Sequence, residues 1–338
     1  LRLAERFDVL GDGPRDAPSR QRTLRSAVEW SFGLLDDADR AFFIRLGVFA
    51  GSFDAAAAAA VTGTTESQAL TAIDRLLQRS LLGRDPTTPL VSRFRLLETL
   101  RIFGTEKMKA TGIVEEIEDR HLDHFAGDIL RLDDQLMGSG QTVGFAEMLA
   151  NQDNLRSAMA WSLDSGRLAP GLAIAAWSGR FWDWHGSLLE ASTWTSRFLD
   201  ADPDPATPNL AVLTSWAGFY ARELGDDGRS AELSEQALRI ATSNDEPVGQ
   251  AAALSGLAMG ARIRGDNTGA LAYGARIRAL AERADLPWMI AWTDNHDGLA
   301  LLAAGDLERA SAVTDDSLRG FAELGDRRAT GWAVTALA

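Results

Sequence analysis

The sequence predicts a mainly α-helical protein in two parts: a winged helix-turn-helix domain with a small β-ribbon, followed by an α-solenoid. Three observations carry this reading. Gly-Asp steps stand at Gly225-Asp226, Gly265-Asp266 and Gly305-Asp306, forty residues apart each time, and each parts two Ala- and Leu-rich stretches of helical pattern. A fixed period of that length marks a stacked helical repeat. Glycine supplies the left-handed residue that ends one helix, and aspartate supplies an oxygen for the orphan N–H groups that start the next. Upstream, residues 20–112 read as three helices followed by two short strand-like runs, the order of a winged helix-turn-helix. From 113 onward the pattern is helical almost throughout.

Residues 1–19, broken by Gly11-Asp12-Gly13-Pro14 and Pro18, read as the end of a preceding domain and a linker. From Gln21, Leu24, Ala27, Val28, Ser31, Leu34 and Leu35 fall on one helical face, and Asp36-Asp37 closes that helix and caps the next. The second helix carries Phe42, Phe43, Leu46 and Phe49. Phe53 then leads into Asp54 and the alanines Ala55 to Ala60, whose small side chains suit close helix packing. Thr65-Glu66-Ser67-Gln68 matches a capping box and opens a helix with Leu70, Ile73, Leu76 and Leu77 on its apolar side. The strand-like runs are Ser80 to Arg84 and Ser92 to Leu97, joined by Asp85-Pro86-Thr87-Thr88-Pro89, and Glu98 to Lys109 is a helix leading out. Residues 113–200 are expected to open the solenoid, and 201–338 to hold the repeats of period about 40. Ala231, Ala270 and Ala310 mark the close approach of paired helices, and Leu238, Ile277 and Leu318 fill the space two turns later. Aligned on these residues, the copies need one-residue shifts.

Composition narrows the function. No stretch approaches the roughly 18 apolar residues a membrane span requires, and Leu1-Arg2-Leu3-Ala4-Glu5 lacks the basic start and apolar run of a signal peptide, so a cytoplasmic setting is expected. The absence of cysteine removes disulfides, thiolate zinc sites and Cys nucleophiles together. A chain that starts without Met and stops within a helical pattern at Leu337-Ala338 is expected to be a piece of a longer polypeptide. The net charge of −14 is uneven: residues 1–112 carry 16 Arg and Lys against 14 Asp and Glu, and the remainder 18 against 34. Affinity for a polyanion would therefore reside in the first third. Lysine occurs only at Lys107 and Lys109, and such heavy use of Arg, Ala, Gly and Asp suits a GC-rich genome.

Two stretches resemble a known family. Arg20-Gln21-Arg22-Thr23-Leu24-Arg25, continuing through Trp30-Ser31, Leu34-Leu35, Phe43, Leu46 and Val48-Phe49-Ala50-Gly51-Ser52-Phe53, resembles the winged-helix segment that follows the nucleotide-binding module of bacterial STAND-class signal-transduction ATPases, including LuxR-type and cyclase-linked regulators. Phe94-Arg95-Leu96-Leu97-Glu98-Thr99-Leu100-Arg101 is similar to that segment's last strand and exit helix. Asn154-Leu155-Arg156, Ala158, Trp161, Phe181-Trp182, Gly186, Glu190 and Trp194 resemble the start of the same family's tetratricopeptide-like region. The resemblance implies a nucleotide-operated switch whose ATP-binding domain precedes Leu1, a winged helix that packs on that domain as a relay, and a solenoid that takes a protein partner or small inducer. No Gly-x-x-x-x-Gly-Lys-Ser/Thr occurs in this chain, so no cofactor is expected in it.

Four candidate sites follow from the residues. DNA reading would use the helix from Glu66 to Arg79 in the major groove, with Arg75, Arg79, Arg84, Arg93 and Arg95 as the available cations and the Pro86–Pro89 wing on the phosphates. A balance of +2 over the first 112 residues is weak for that role and favours interdomain contact. His121-Leu122-Asp123-His124 places imidazoles three apart, but with no further histidine near, no metal site is expected. Gly138-Ser139-Gly140-Gln141-Thr142-Val143-Gly144 has Val143 where a dinucleotide loop requires glycine, and reads as a loop between helices. Trp177, Trp182, Trp184 and Trp194 gather with Asp183 and Glu190 in a possible partner groove. The competing readings are a freestanding DNA-binding transcription factor and an α-helical carbohydrate-active enzyme using the acid pair.

Overall fold

The computed structural model describes residues 19–86 and 92–337, with side chains for 25–86 and 92–335. The linker reading and the Thr87-Thr88-Pro89 tip of the wing lie outside the described residues. Contacts divide the chain into two units, residues 1–121 and 122–338. Among the described residues, no helix is long and apolar enough to cross a membrane.

In the first unit, α1 spans Ser19–Gly33, α2 Asp37–Leu46, α3 Ala55–Thr62 and α4 Glu66–Gln78, followed by β1 (Gly83–Asp85), β2 (Arg93–Arg95) and α5 (Glu98–Thr111). Each start is set locally. Asp36 accepts from the Asp39 N–H at 2.8 Å, Asp54 from the Ala57 N–H at 2.8 Å, and Thr65 and Gln68 form the reciprocal capping box. Gly63, at φ 72°, ends α3 in the left-handed region and makes the turn of the helix-turn-helix. Ala55, Ala57, Ala58 and Ala59 are buried, so the alanine run is a packing face. Phe43, Leu46, Phe49, Phe53, Ile73 and Leu76 are at most 1% exposed, each contributing roughly 1.5–3 kcal/mol of burial.

The ribbon is antiparallel, with Gly83 opposite Arg95 and Asp85 opposite Arg93, and Phe53 adds a rung by exchanging both backbone hydrogen bonds with Phe94. Its first strand begins later than the sequence suggests. Ser80 takes φ 57° and the Leu81 N–H returns to the Leu76 carbonyl, so the chain is still closing α4 while Leu81 and Leu82 enter the core. α1 also differs from expectation: Leu34 is 52% exposed and Ala27 is exposed, while Phe32 packs on Phe43 and Phe103. Gly47 lies against the backbone of Gly104 and Thr105, where a Cβ would come within 2.8 Å of the Thr105 nitrogen.

Helix α6 (Val114–Leu136) contains the division between the units. The second unit continues with α7 (Gln141–Ser165), α8 (Leu168–Trp177), α9 (Gly179–His185), α10 (Leu188–Asp200), α11 (Leu210–Glu223), α12 (Asp227–Ser243), α13 (Pro247–Ile263), α14 (Asn267–Arg283), α15 (Pro287–Ala303), α16 (Leu307–Leu324) and α17 (Arg327–Leu337). From α11 the chain turns every twenty residues on a left-handed residue. Gly225, Gly265 and Gly305 alternate with Asp245 and Asp285, and Gly325 follows. After each glycine, an aspartate caps the next helix: Asp226 accepts from the Arg229 N–H, Asp266 from Gly269, Asp306 from Arg309 and Asp326 from Ala329. At the other turns the capping differs. Asp245 and Asp285 take φ 53°, and Pro247 and Pro287 open the following helices with the φ they already prefer.

The Gly-Asp turns join α11 to α12, α13 to α14 and α15 to α16, the most closely packed helix pairs among the described residues. Successive hairpins stack in one direction: α13 packs on α11, α15 on α13 and α17 on α15, while the second helices of the hairpins make at most marginal contact with one another. Closer spacing on one side makes the layer of α11, α13, α15 and α17 the inside of the curve. The period is a strict forty. Ser230, Ala270 and Ala310 are the buried small residues, and Ala237, Ile277 and Ser317 the next buried layer, so the apparent one-residue shifts come from variation in side-chain size.

Candidate functional site

Most of the arginines expected to face DNA are engaged within the first unit. Arg75 on α4 closes on Asp39 of α2 through Nε and Nη2, at 2.7 and 2.5 Å. Arg79 donates to the Leu34 carbonyl at 2.8 Å. Arg93 is 3% exposed and donates to the Ser52 hydroxyl at 2.9 Å and carbonyl at 2.7 Å, so a duplex cannot reach it. Arg84 and Arg95 remain exposed on the ribbon, with Arg84 over the Phe94 ring at 5.7 Å. The exposed positions of α4 itself are Glu66, Ser67, Gln68, Leu70, Thr71, Asp74 and Gln78. Two are acidic; the cations beside them are the half-exposed Arg75, held on Asp39, and Arg79 just past the helix end, exposed but donating to Leu34. His121 is buried edge-on against Phe49, and among the described residues no three His, Asp or Glu side chains gather as a metal site.

The tryptophan cluster is not one open groove. Trp182 is 1% exposed, beneath the Arg156 guanidinium; Trp177 donates to Asn209 at 3.0 Å; and Trp184 is half-buried under Arg328 at 4.8 Å. Both oxygens of Glu190 are taken by Arg156, at 2.5 and 2.7 Å, and this hydrogen-bonded partner holds its carboxyl below the usual range. A carboxyl so held is disfavoured as a proton donor. Burial instead pushes Asp183 up. Trp182 is thus part of the packed core, and Glu190 one half of an ion pair with Arg156.

Two features escaped sequence reading. The first is a closure of the solenoid on its own beginning. Asp326, 1% exposed, accepts from Gln141 Nε2 at 2.5 Å and from the Trp288 indole N–H at 2.7 Å. Gly325 lies so near Ser139 that a Cβ would approach within 2.9 Å, and the Arg180 guanidinium lies 4.4 Å from the Trp288 ring centre while also reaching buried Asp133. The Gly138–Gly144 segment is thus the seat of the last repeat. Only the fourth Gly-Asp step, at Gly325-Asp326, signalled this in the sequence. The second is a pair of arginines on the inner layer, Arg222 and Arg262, at the same position of successive repeats. On the same layer, burial above all pushes the His296 imidazole down to about 4, against its hydrogen bond to the Trp292 carbonyl and with a smaller contribution from the arginine charges.

The geometry defines a winged helix-turn-helix unit followed by a helical-repeat solenoid. Residues 35–109 match the winged helix-turn-helix domain. The chain is 28% identical over 342 residues to the "Putative HTH-type transcriptional regulator Rv0890c" of Mycobacterium tuberculosis, covering 96% of this chain and 38% of that protein, and a Mycobacterium bovis counterpart matches to the same extent. The chain thus spans 38% of the length of these relatives. A stretch of 126 residues is 29% identical to "Uncharacterized protein Rv0894" of Mycobacterium tuberculosis, covering 36% of this chain and 32% of that protein. Among solved structures, a STAND protein with a tetratricopeptide repeat sensor from Pyrococcus horikoshii aligns at 10% identity and TM-score 0.44, over 91% of this chain and 54% of its own. BtubC from P. vanneervenii aligns at 15% and 0.43, over 61% and 91%.

Proposed function

We propose that this chain is the regulatory segment of a STAND-type transcriptional regulator, in which the solenoid takes a ligand or protein partner and the winged helix relays its state to an ATP-binding module elsewhere in the same polypeptide. One observation carries the relay role: the outward face of α4, the helix that would enter a major groove, presents Glu66 and Asp74, while Arg75 is held on Asp39 and Arg79 on the Leu34 carbonyl. Trp30, Leu34 and Leu70 are 70%, 52% and 47% exposed, the kind of apolar surface that marks contact with protein. The mechanism is a population shift: the solenoid's partner favours one docking of the winged helix, and that docking biases the module between closed and active states. Substituting Trp30→Asp and Leu70→Asp in the complete polypeptide tests this. Both side chains are exposed, so the melting temperature should hold while nucleotide turnover changes severalfold. Unchanged turnover would contradict the relay.

A further inference from the structure

We propose that the solenoid carries a reversible latch between the loop before α7 and its last repeat, and that opening this latch is the motion by which the solenoid registers a partner. The proposal rests on the solenoid being the sensor, and it names the movement a partner acts on. Asp326, in the turn between α16 and α17, accepts from Gln141 Nε2 at 2.5 Å, and the Arg328 N–H donates to Gln141 Oε1 at 3.4 Å, so one amide at the start of α7 engages the start of α17 with both its polar atoms. Two cation–π contacts cross the same gap in opposite directions. Arg180 of α9 lies 4.4 Å from the Trp288 ring centre of α15, and Arg328 of α17 lies 4.8 Å from the Trp184 ring centre of α9. Gly138 lets the two backbones approach, since a Cβ there would stand 3.3 Å from the Leu324 carbonyl oxygen.

Each half of the latch is held in shape by its own neighbours. Gln141 Nε2 also donates to the Leu136 carbonyl at 2.9 Å and Arg180 also reaches Asp133, so the first half needs nothing from the last repeat. On the other side Asp326 caps α17 through the Ala329 N–H and takes the Trp288 indole N–H, while Trp288 and Trp332 pack on the cluster of Ala291, Phe321 and Ala329. Among the described residues, no helix from α6 to α9 packs extensively on α15, α16 or α17, whereas consecutive hairpins bury apolar clusters such as Ala251, Leu254 and Ile277. Polar contacts of this kind contribute little net free energy, because water replaces them on opening, and the charge of Asp326, 1% exposed when closed, regains its hydration. The closed and open forms therefore lie close enough for a binding partner to shift. A solenoid whose hairpins touch only their neighbours opens by small changes spread along the stack, with each hairpin still packed.

Distance measurement between two spin labels on the full chain tests this. The sequence has no cysteine, so Thr142→Cys and Glu323→Cys, both at exposed positions, put labels on the two sides of the latch and nowhere else. With the latch intact, one short distance should predominate. Gln141→Glu sets a carboxylate against Asp326, yet at the first residue of α7 it suits the helix dipole, so α7 should hold while the population at longer distance grows at least about tenfold. Arg328→Ala, at an exposed position, should act in the same direction by a smaller factor, and hydrogen exchange in α11 to α14 should stay as in wild type in both variants. Unchanged distances in the two variants would overturn the latch. Opening accompanied by lost protection throughout α11 to α14 would overturn it too, by making the closure part of a single core. If the labels stay together while Trp30→Asp changes turnover in the complete polypeptide, the relay stands and the latch falls; if the labels separate and Trp30→Asp changes nothing, the latch stands and the relay falls.

Discussion

Arg75 and Asp39 face each other across α4 and α2 as a fork on a carboxylate, with Asp39 only 2% exposed. The pair ties the helix that would read DNA to the core of its own domain. Arg75→Ala would leave a buried carboxylate without its partner, while the half-open position of Arg75 lets water compensate in part. The expected loss is about 1–3 kcal/mol in a urea or thermal unfolding measurement, and Arg75→Lys should recover only part of it because the fork is lost.

The twenty-residue alternation of Gly and Asp turns can be tested by exchange. Asp285 adopts φ 53°, which glycine takes without cost, so Asp285→Gly should be neutral or stabilising by up to about 1 kcal/mol. Gly265, at φ 78°, cannot accept a Cβ without strain, and Gly265→Ala should destabilise by about 1 kcal/mol. Equal effects at the two turns would contradict a shared left-handed geometry.

Much of this fold is open to reading from the residues, because capping and turn chemistry are local. Asp36, Asp54, the Thr65–Gln68 box and the Gly-Asp steps each act within four residues, and each stands where its pattern puts it. The Asp245-Glu246-Pro247 and Asp285-Leu286-Pro287 turns were equally local, and went unseen because aspartate is not the residue expected in a left-handed turn. Long-range partners were not legible. Nothing near Arg93 in sequence announces Ser52, nothing near Glu190 announces Arg156, and the tryptophans read as a groove are committed to Asn209, Arg156 and Arg328. The paired positions of Arg222 and Arg262 could have been found by laying the copies over one another at a period of forty, which aligns the two arginines.

Asp297 gives a pH signature. Burial raises its carboxyl from 3.8 to about 6, against the opposing charge of Arg278. A carboxyl raised on folding binds its proton more tightly in the native state, so its contribution to stability is complete below the unfolded value and is lost as pH rises through about 6. Asp297→Asn should therefore raise stability at pH 7 by about 1 kcal/mol, after allowance for its partial exposure, and leave it little changed near pH 4. Neighbouring His296, depressed to about 4, acts in the opposite sense, its contribution being lost as pH falls from 6.5 through 4. Comparing wild type with the single variant across pH 4–7.5 isolates the Asp297 slope.

The closure at Asp326 predicts coupling between distant segments. Asp326→Ala removes the Ala329 cap together with the Trp288 and Gln141 hydrogen bonds, a loss of about 2–4 kcal/mol. Hydrogen exchange should then accelerate at 138–144 as well as in α17. Faster exchange confined to α17 would reduce Asp326 to a helix cap.

The most direct test of the relay role is duplex affinity against salt. With acidic groups on the outward face of α4 and Arg75 and Arg93 engaged internally, fluorescence anisotropy with a labelled random duplex should show no binding tighter than about 10 μM at physiological salt, and Arg79→Ala and Arg95→Ala should change nothing. Tight binding that weakens steeply from 50 to 200 mM salt, and that is lost when Arg95 or Thr71 becomes Ala, would contradict the relay and return the winged helix to DNA.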